Sequence, residues 1–156
     1  MSLTDSSPEH DEHLQPPVRG GMALWTLFVG FAFLMVGNGL NVAVLGVRMV
    51  DEGFDVRASG VVMACYFAGF LLGPTLVVGW LSTVGHIRVF ASLASIASCV
   101  VLAHFIHVDP FSWAILRFVF GFCMAGLYVA VESWLNDAST PQNRGRTLAM
   151  YMIVSM

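Results

Sequence analysis

The stretch GMALWTLFVGFAFLMVGNGLNVAVLGV (21–47) holds 27 residues without a charge. A helix rises about 1.5 Å per residue and the hydrocarbon core of a bilayer is about 30 Å thick, so roughly 20 apolar residues cross it. This run crosses with length to spare. Three further runs repeat the pattern: 58–87 is charge-free with its apolar part ending near Leu81, 89–108 is charge-free, and 111–135 is interrupted only by Arg117 and Glu132. Each is long enough for a second, third and fourth membrane helix. The expected helices are 21–47, 58–81, 88–108 and 111–135, with a fifth beginning at 147.

The composition of the whole chain agrees. Of 156 residues, 57% are hydrophobic and 11% charged, and five of the 17 charged residues fall in the first 20 positions. A soluble domain carries about 25% charged residues, so a soluble globular fold is excluded. A net charge of −3 with seven arginines, no lysine and no basic cluster excludes nucleic acid as a partner. Cys65, Cys99 and Cys123 lie in apolar runs without metal-ligand or disulfide spacing and read as small buried hydrophobes.

The polar segments punctuate these spans. Residues 1–20 (MSLTDSSPEHDEHLQPPVRG) are acidic, carry prolines and lack apolar periodicity, which predicts a flexible tail rather than a signal peptide. RMVDEGFDVR (48–57), STVGHIR (82–88) and NDASTPQNRGR (136–146) link the helices. Asp109-Pro110 makes a natural helix start, because Asp accepts from free backbone N–H groups and Pro is preset for the first helical position. Thr140-Pro141 repeats the signal. The final ten residues, TLAMYMIVSM, reach only about 15 Å as a helix. A membrane helix ending in mid-bilayer strands its last carbonyls, so the sequence reads as a piece of a longer chain whose remaining helices are its partners.

Arginine placement sets the expected orientation. With the N-terminus inside, Arg19, Arg88, Arg144 and Arg146 face the cytoplasm, while Arg48 and Arg57 face outward beside Asp51, Glu52 and Asp55.

The costly groups within the spans come next. A charged side chain near a helix centre costs roughly 2.5–3.5 kcal/mol on insertion scales. Arg117 and Glu132 are about 22 Å apart along one helix, too far to pair. At 100° per residue, Arg117, Gly121, Ala125, Tyr128 and Glu132 share one face within about 80°. That small and polar stripe is read as lining a water-filled path or making interhelical polar contacts. Asn38 and Asn41, about 60° apart on the first helix, seek hydrogen-bond partners on a neighbouring helix or on a substrate. Tyr66 belongs with them. Gly69 and Gly73, four residues apart, read as a close helix contact, and Pro74 as a kink. His104 and His107 read as interfacial residues rather than metal ligands, and His10 and His13 receive no role. No phosphate loop, dinucleotide turn, zinc-hydrolase or nucleophile-elbow pattern occurs. The sequence therefore carries no enzyme site, metal site or cofactor.

Three segments carry a family resemblance: GNGLNVAVLGVR (37–48), YFAGFLLGPTLVVGWLSTVGHIRVFASLAS (66–95) and RFVFGFCMAGLYVAVESWLNDASTPQNRGRTLAMY (117–151). Together they resemble the major facilitator superfamily, in particular a poorly characterised bacterial permease branch with an ES pair late in helix four and RGR before helix five. The resemblance spans 21–156. It implies an all-α integral membrane fold: four transmembrane helices and the start of the fifth of a six-helix N-terminal bundle.

The family signature between helices two and three runs roughly G-x-x-x-D-R-x-G-R-R. Gly85, His86 and Arg88 match its latter part, whereas Ser82 stands where the Asp belongs and Val78 where the first Gly belongs. In the family this loop helps latch two bundles together. Arg117 to Gly121 resembles a helix-four signature linked to proton coupling in drug antiporters, with Phe120 in place of the usual polar residue. Arg144-Gly145-Arg146 looks like a basic loop that meets helix C-termini.

The resemblance implies alternating-access transport of a small solute across the bacterial inner membrane, with protons a candidate coupling ion. Asn38, Asn41, Arg117, Tyr128 and Glu132 are the pathway candidates, and Gly85, His86, Arg88, Arg144, Gly145 and Arg146 the loop candidates. A small four-helix exporter and a non-transporting membrane scaffold are the alternatives. The exporter class places a Glu in its first helix, where this chain has only Asn.

Overall fold

The computed structural model describes residues 20–138 and 144–155. The 1–19 stretch of the predicted tail and the Thr140-Pro141 helix start lie outside the described residues. Five helices follow one another: α1 (Gly20–Asp51), α2 (Val56–Val84), α3 (His86–Ile106), α4 (Pro110–Ala138) and α5 (Arg144–Ser155). No strand occurs among the described residues. Four of the helices contain segments long and apolar enough to cross a membrane: Phe28–Asp51, Val56–Val84, His86–Ile106 and Pro110–Asp137. The end where α1 begins is called proximal below, and the end carrying the α1–α2 and α3–α4 links distal.

The connections are tighter than the polar segments imply. α1 runs on through Arg48 to Asp51, and Arg48 Nε meets Glu52 Oε1 at 3.4 Å. Gly53, at φ 72°, turns the chain in a region where only glycine is unstrained, and Asp55 caps α2 by accepting from the Arg57 N–H at 3.2 Å. Between α2 and α3 a single residue breaks the helix, Gly85 at φ 95°. At the start of α4, Asp109 Oδ2 accepts from the Ser112 N–H at 2.9 Å and Pro110 opens the helix, as the sequence implies.

α4 is the hub, packed against α2 along most of its length and against α3 on another side. Lipid tails are as apolar as leucine, so helix association in a membrane relies on close packing. Glycines supply it here. A Cβ on Gly69 would strike the backbone carbonyl of Phe118, and a Cβ on Gly121 that of Tyr66; Gly73 lies against the Ala125 methyl. The two helices thus touch backbone to backbone through a reciprocal set of small residues. α2 continues through Pro74 without a break, and the Thr75 hydroxyl donates to the Leu72 carbonyl at 2.7 Å.

Three apolar clusters complete the interior. Val77, Leu93, Met124 and Leu127 lie among the central one that joins α2, α3 and α4. Phe28 and Phe31 of α1 pack with Val131, Leu135 and Tyr151 at the proximal end, and Leu45, Met49, Val62 and Trp113 at the distal end. The outward faces carry Phe33, Leu40, Phe67, Leu71, Leu102 and Ile115, all exposed. Such a surface suits lipid or further helices.

Two sequence expectations change. Of the three cysteines only Cys123 is buried; Cys65 is half-buried and Cys99 exposed on an apolar helix face. His104 is enclosed by protein. It is 2% exposed, its Nδ1 lies 2.8 Å from the Val100 carbonyl, and its ring meets Trp113 edge-on at 5.5 Å. An in-helix bond satisfies one ring nitrogen and an aromatic neighbour shields the rest, which is how this histidine enters the core.

Candidate functional site: a buried arginine among aromatic rings

Arg117 stands two turns into α4 and is 2% exposed. Its guanidinium carbon lies 4.8 Å from the centroid of the Tyr66 ring, and Nη2 points at the Met63 sulfur at 3.5 Å. Sulfur is a weak acceptor and a ring face is a soft partner for a cation. Neither replaces a carboxylate. Arg117 forms no ion pair among the described residues, and its Nε and Nη1 have no hydrogen-bond partner. Both donors are buried, where an unmatched donor costs about 1–3 kcal/mol and more when charged.

The surroundings come from all four long helices. Tyr66 enters from α2 because Gly121 lets the helices close to backbone contact, placing the ring under the guanidinium. Asn38 approaches the Tyr66 hydroxyl from α1, leaving its Oδ1 unpartnered. His104 of α3 lies within electrostatic range of Arg117, and its Nε2 is unpartnered. Asn41, one turn beyond Asn38, has an unpartnered Nδ2. Beside Asn38 opens a mostly apolar cavity of about 550 Å³ between α1, α3 and α4, with Phe120, Met124 and Ser98 in its wall.

The predicted stripe along α4 divides. Its upper part, Arg117, Gly121 and Ala125, is spent on the α2 seam. Tyr128 turns to α1, donating to the Met35 sulfur at 2.8 Å and meeting Phe31 edge-on at 5.4 Å. Glu132 turns to α5, where its Oε1 accepts from the Tyr151 hydroxyl at 2.7 Å. Aromatic contacts link these points: Tyr66 to Phe70, Phe70 to Tyr128, Tyr128 to Phe31, and Phe31 to Tyr151, with centroids 5.4–5.9 Å apart. An aromatic ladder therefore joins Arg117 to Glu132. Periodicity on one helix could not show it, because its rungs come from four helices.

At the proximal end, His86 Nε2 lies 2.9 Å from Ser133 Oγ and 3.5 Å from Asp137 Oδ2, both on α4. Beside it a cavity of about 610 Å³ is lined by Ser82, His86, Glu132, Ser133 and Asn136 among others. Gly85 supplies the break that starts α3 at His86, and Arg88, two residues on, is exposed. Gly145 is exposed near the start of α5; the side chains of Arg144 and Arg146 lie outside the described residues. Ser133, Asp137 and Tyr151 are the partners that sequence reasoning missed. Their only signal was spacing on α4 and α5 relative to Glu132 and the 82–88 link. No group of three metal-binding side chains occurs among the described residues.

The family profile described as Major Facilitator Superfamily matches residues 26–156. The chain belongs to the major facilitator superfamily. Among curated proteins it is similar to an uncharacterized MFS-type transporter of Enterobacter sp. (strain 638), 34% identical over 130 residues, covering 82% of this chain and 34% of the relative. It is also similar to the uncharacterized MFS-type transporter YcaD of Salmonella paratyphi B and of Salmonella arizonae, each 43% identical over 98 residues, covering 61% of this chain and 25% of the relative. The chain thus spans about a third or less of the length of these relatives. No solved structure gives a significant match. Membership in this family sets aside the separate four-helix exporter class.

Proposed function

We propose that this chain supplies part of a secondary transporter that moves a small solute across the bacterial inner membrane by alternating access. Further helices, as in the longer relatives, complete the path. The buried, unpaired guanidinium of Arg117 carries the reading. A cation kept inside a membrane bundle without a carboxylate is a functional group by default, and here its free donors await an acidic group. That group is either on the solute or on a proton-carrying acid of another helix. Asn38, Asn41 and Tyr128 line the same path from α1 and α4, and Glu132 pairs with Tyr151 to steady its proximal end. Arg88, Arg144 and Arg146 at the proximal end against Arg48 and Arg57 at the distal end support a cytoplasmic N-terminus. Gly85 with His86 and Arg88 at the start of α3, and Arg144-Gly145-Arg146 at the start of α5, meet the rest of the transporter on the cytoplasmic side.

Uptake by the full-length protein in proteoliposomes, screened across labelled anionic, neutral and cationic solutes with and without a pH gradient, tests the reading. With Arg117→Gln at matched expression, transport falls at least tenfold, while Arg117→Lys retains part of it. Unchanged uptake by Arg117→Gln removes the arginine from the path. Absence of uptake for every solute by the wild type removes the transport reading itself.

A further inference from the structure

The His86 contact has a property that a contact between permanently charged groups lacks. One nitrogen, Nε2, faces both Ser133 Oγ at 2.9 Å and Asp137 Oδ2 at 3.5 Å. A neutral imidazole with its proton on Nδ1 can only accept at Nε2, so it takes the Ser133 hydroxyl proton and offers Asp137 nothing. A protonated imidazole donates from Nε2. It then draws Asp137, while Ser133 turns to accept. We propose that His86 is a proton-operated clasp between the start of α3 and the end of α4, tighter when the proximal compartment is acidic. The clasp stands on geometry whether or not the protein transports.

The placement suits this role. His86 is the first residue of α3, directly after Gly85, whose φ of 95° makes the joint with α2 a single residue. A tie at that point therefore governs how the α2–α3 corner sits on α4. The imidazole side chain is 28% exposed and Asp137 62% exposed, beside an open cavity, so protons reach the pair freely. Histidine is the side chain that changes charge between about pH 5 and 8.

Among the described residues the charges around it are few. α4 presents Asp137 and, on the same cavity wall, Glu132, whose Oε1 is held by Tyr151 of α5. α3 presents Arg88, two residues on and exposed. α2 presents Ser82 and no charge to this cavity.

The test is hydrogen–deuterium exchange of the full-length protein in lipid nanodiscs at about pH 6 and pH 8, corrected for intrinsic exchange. The wild type shows amides 86–90 and 134–138 protected about two- to fivefold more at the lower pH, the change expected of an exposed ion pair. His86→Gln and Asp137→Asn remove that pH dependence, and His86→Lys gives protection at both pH values. A flat wild-type profile, or a His86→Gln profile with the wild-type pH dependence, overturns the proposal. Exchange reads the clasp directly, so a result here is independent of whether any solute is transported.

Discussion

Where α2 meets α4 the two backbones touch at Gly69, Gly73 and Gly121, so that at those points no large side chain holds the helices apart. Where α1 meets α4 the contact runs through Tyr128, Phe31 and Met35, and Asn38 and Asn41 keep unpartnered polar atoms. Small residues at the first interface leave no room to slide; large, adaptable and polar ones at the second leave room for a ligand or a moving helix. The difference assigns the roles: α2 and α4 form the rigid frame, and α1 forms a wall whose chemistry is still open. Arg117 lies at the boundary, anchored on the frame by Tyr66 and keeping its Nε and Nη1 donors without acceptors.

The sharpest way to break this comparison is to put matched substitutions into both sides. Gly121→Val drives a methyl-bearing carbon into the Tyr66 carbonyl. Backbone cannot yield as a side chain does, so the cost exceeds the roughly 3 kcal/mol upper range of ordinary overpacking. The expected result is loss of monodisperse protein by size-exclusion chromatography of the detergent-solubilised full chain. Gly39→Ala on α1, with nothing within 4 Å of the added carbon, is neutral or stabilises by about 0.5–1 kcal/mol because alanine is the better helix former. Equal loss on both sides would show that α1 packs as tightly as α2 in the full protein.

A smaller effect is expected at the proximal end of the α1 side. Tyr151→Phe removes the hydroxyl that Glu132 accepts, worth about 1.5 kcal/mol for a bond to a charged group near the wet end of a helix. Glu132→Gln costs less, since an amide oxygen still accepts. The double variant then loses less than the two single changes together, a coupling that thermal unfolding of the four proteins measures. Strict additivity would separate Glu132 from Tyr151 and end the ladder at Tyr151.

How much of this was legible in advance follows from where the information lies. The four spans were legible because charge is expensive in lipid, so its absence over 20 or more residues marks each helix directly. Gly69 and Gly73 announced a close contact for the same local reason. Their counterparts Gly121 and Ala125 were seen as part of a polar stripe, because a single helix shows which residues share a face but not which neighbour that face meets. The same limit hid Tyr66 beneath Arg117 and Ser133 beside His86, contacts that join residues 51 and 47 positions apart in the chain. The enclosure of His104 is likewise hidden in the sequence, because the ring that covers it, Trp113, comes from the next helix.

The finest test concerns the frame helix alone, at the distal start of α4. Asp109 accepts the Ser112 N–H through Oδ2, and its carbonyl accepts the Trp113 N–H at 2.9 Å. The Ser112 N–H bond holds its carboxyl below the ordinary carboxylate range. A depressed folded value means that the charged form is the one the fold favours. Its contribution is therefore present above the unfolded carboxylate's titration near pH 4 and fades as pH falls through the folded value. Asp109→Ala should lower the unfolding temperature slightly at about pH 7, with the deficit closing once the folded carboxyl protonates below the ordinary carboxylate range. Trp113, buried one turn into the helix with its indole N–H donating to the His107 carbonyl at 2.8 Å, reports the change by fluorescence. A deficit that persists unchanged at low pH would mean that Asp109 acts through the backbone turn rather than through its charge, and that the start of α4 is held by packing against Trp113 as the rest of the frame is held by its glycines.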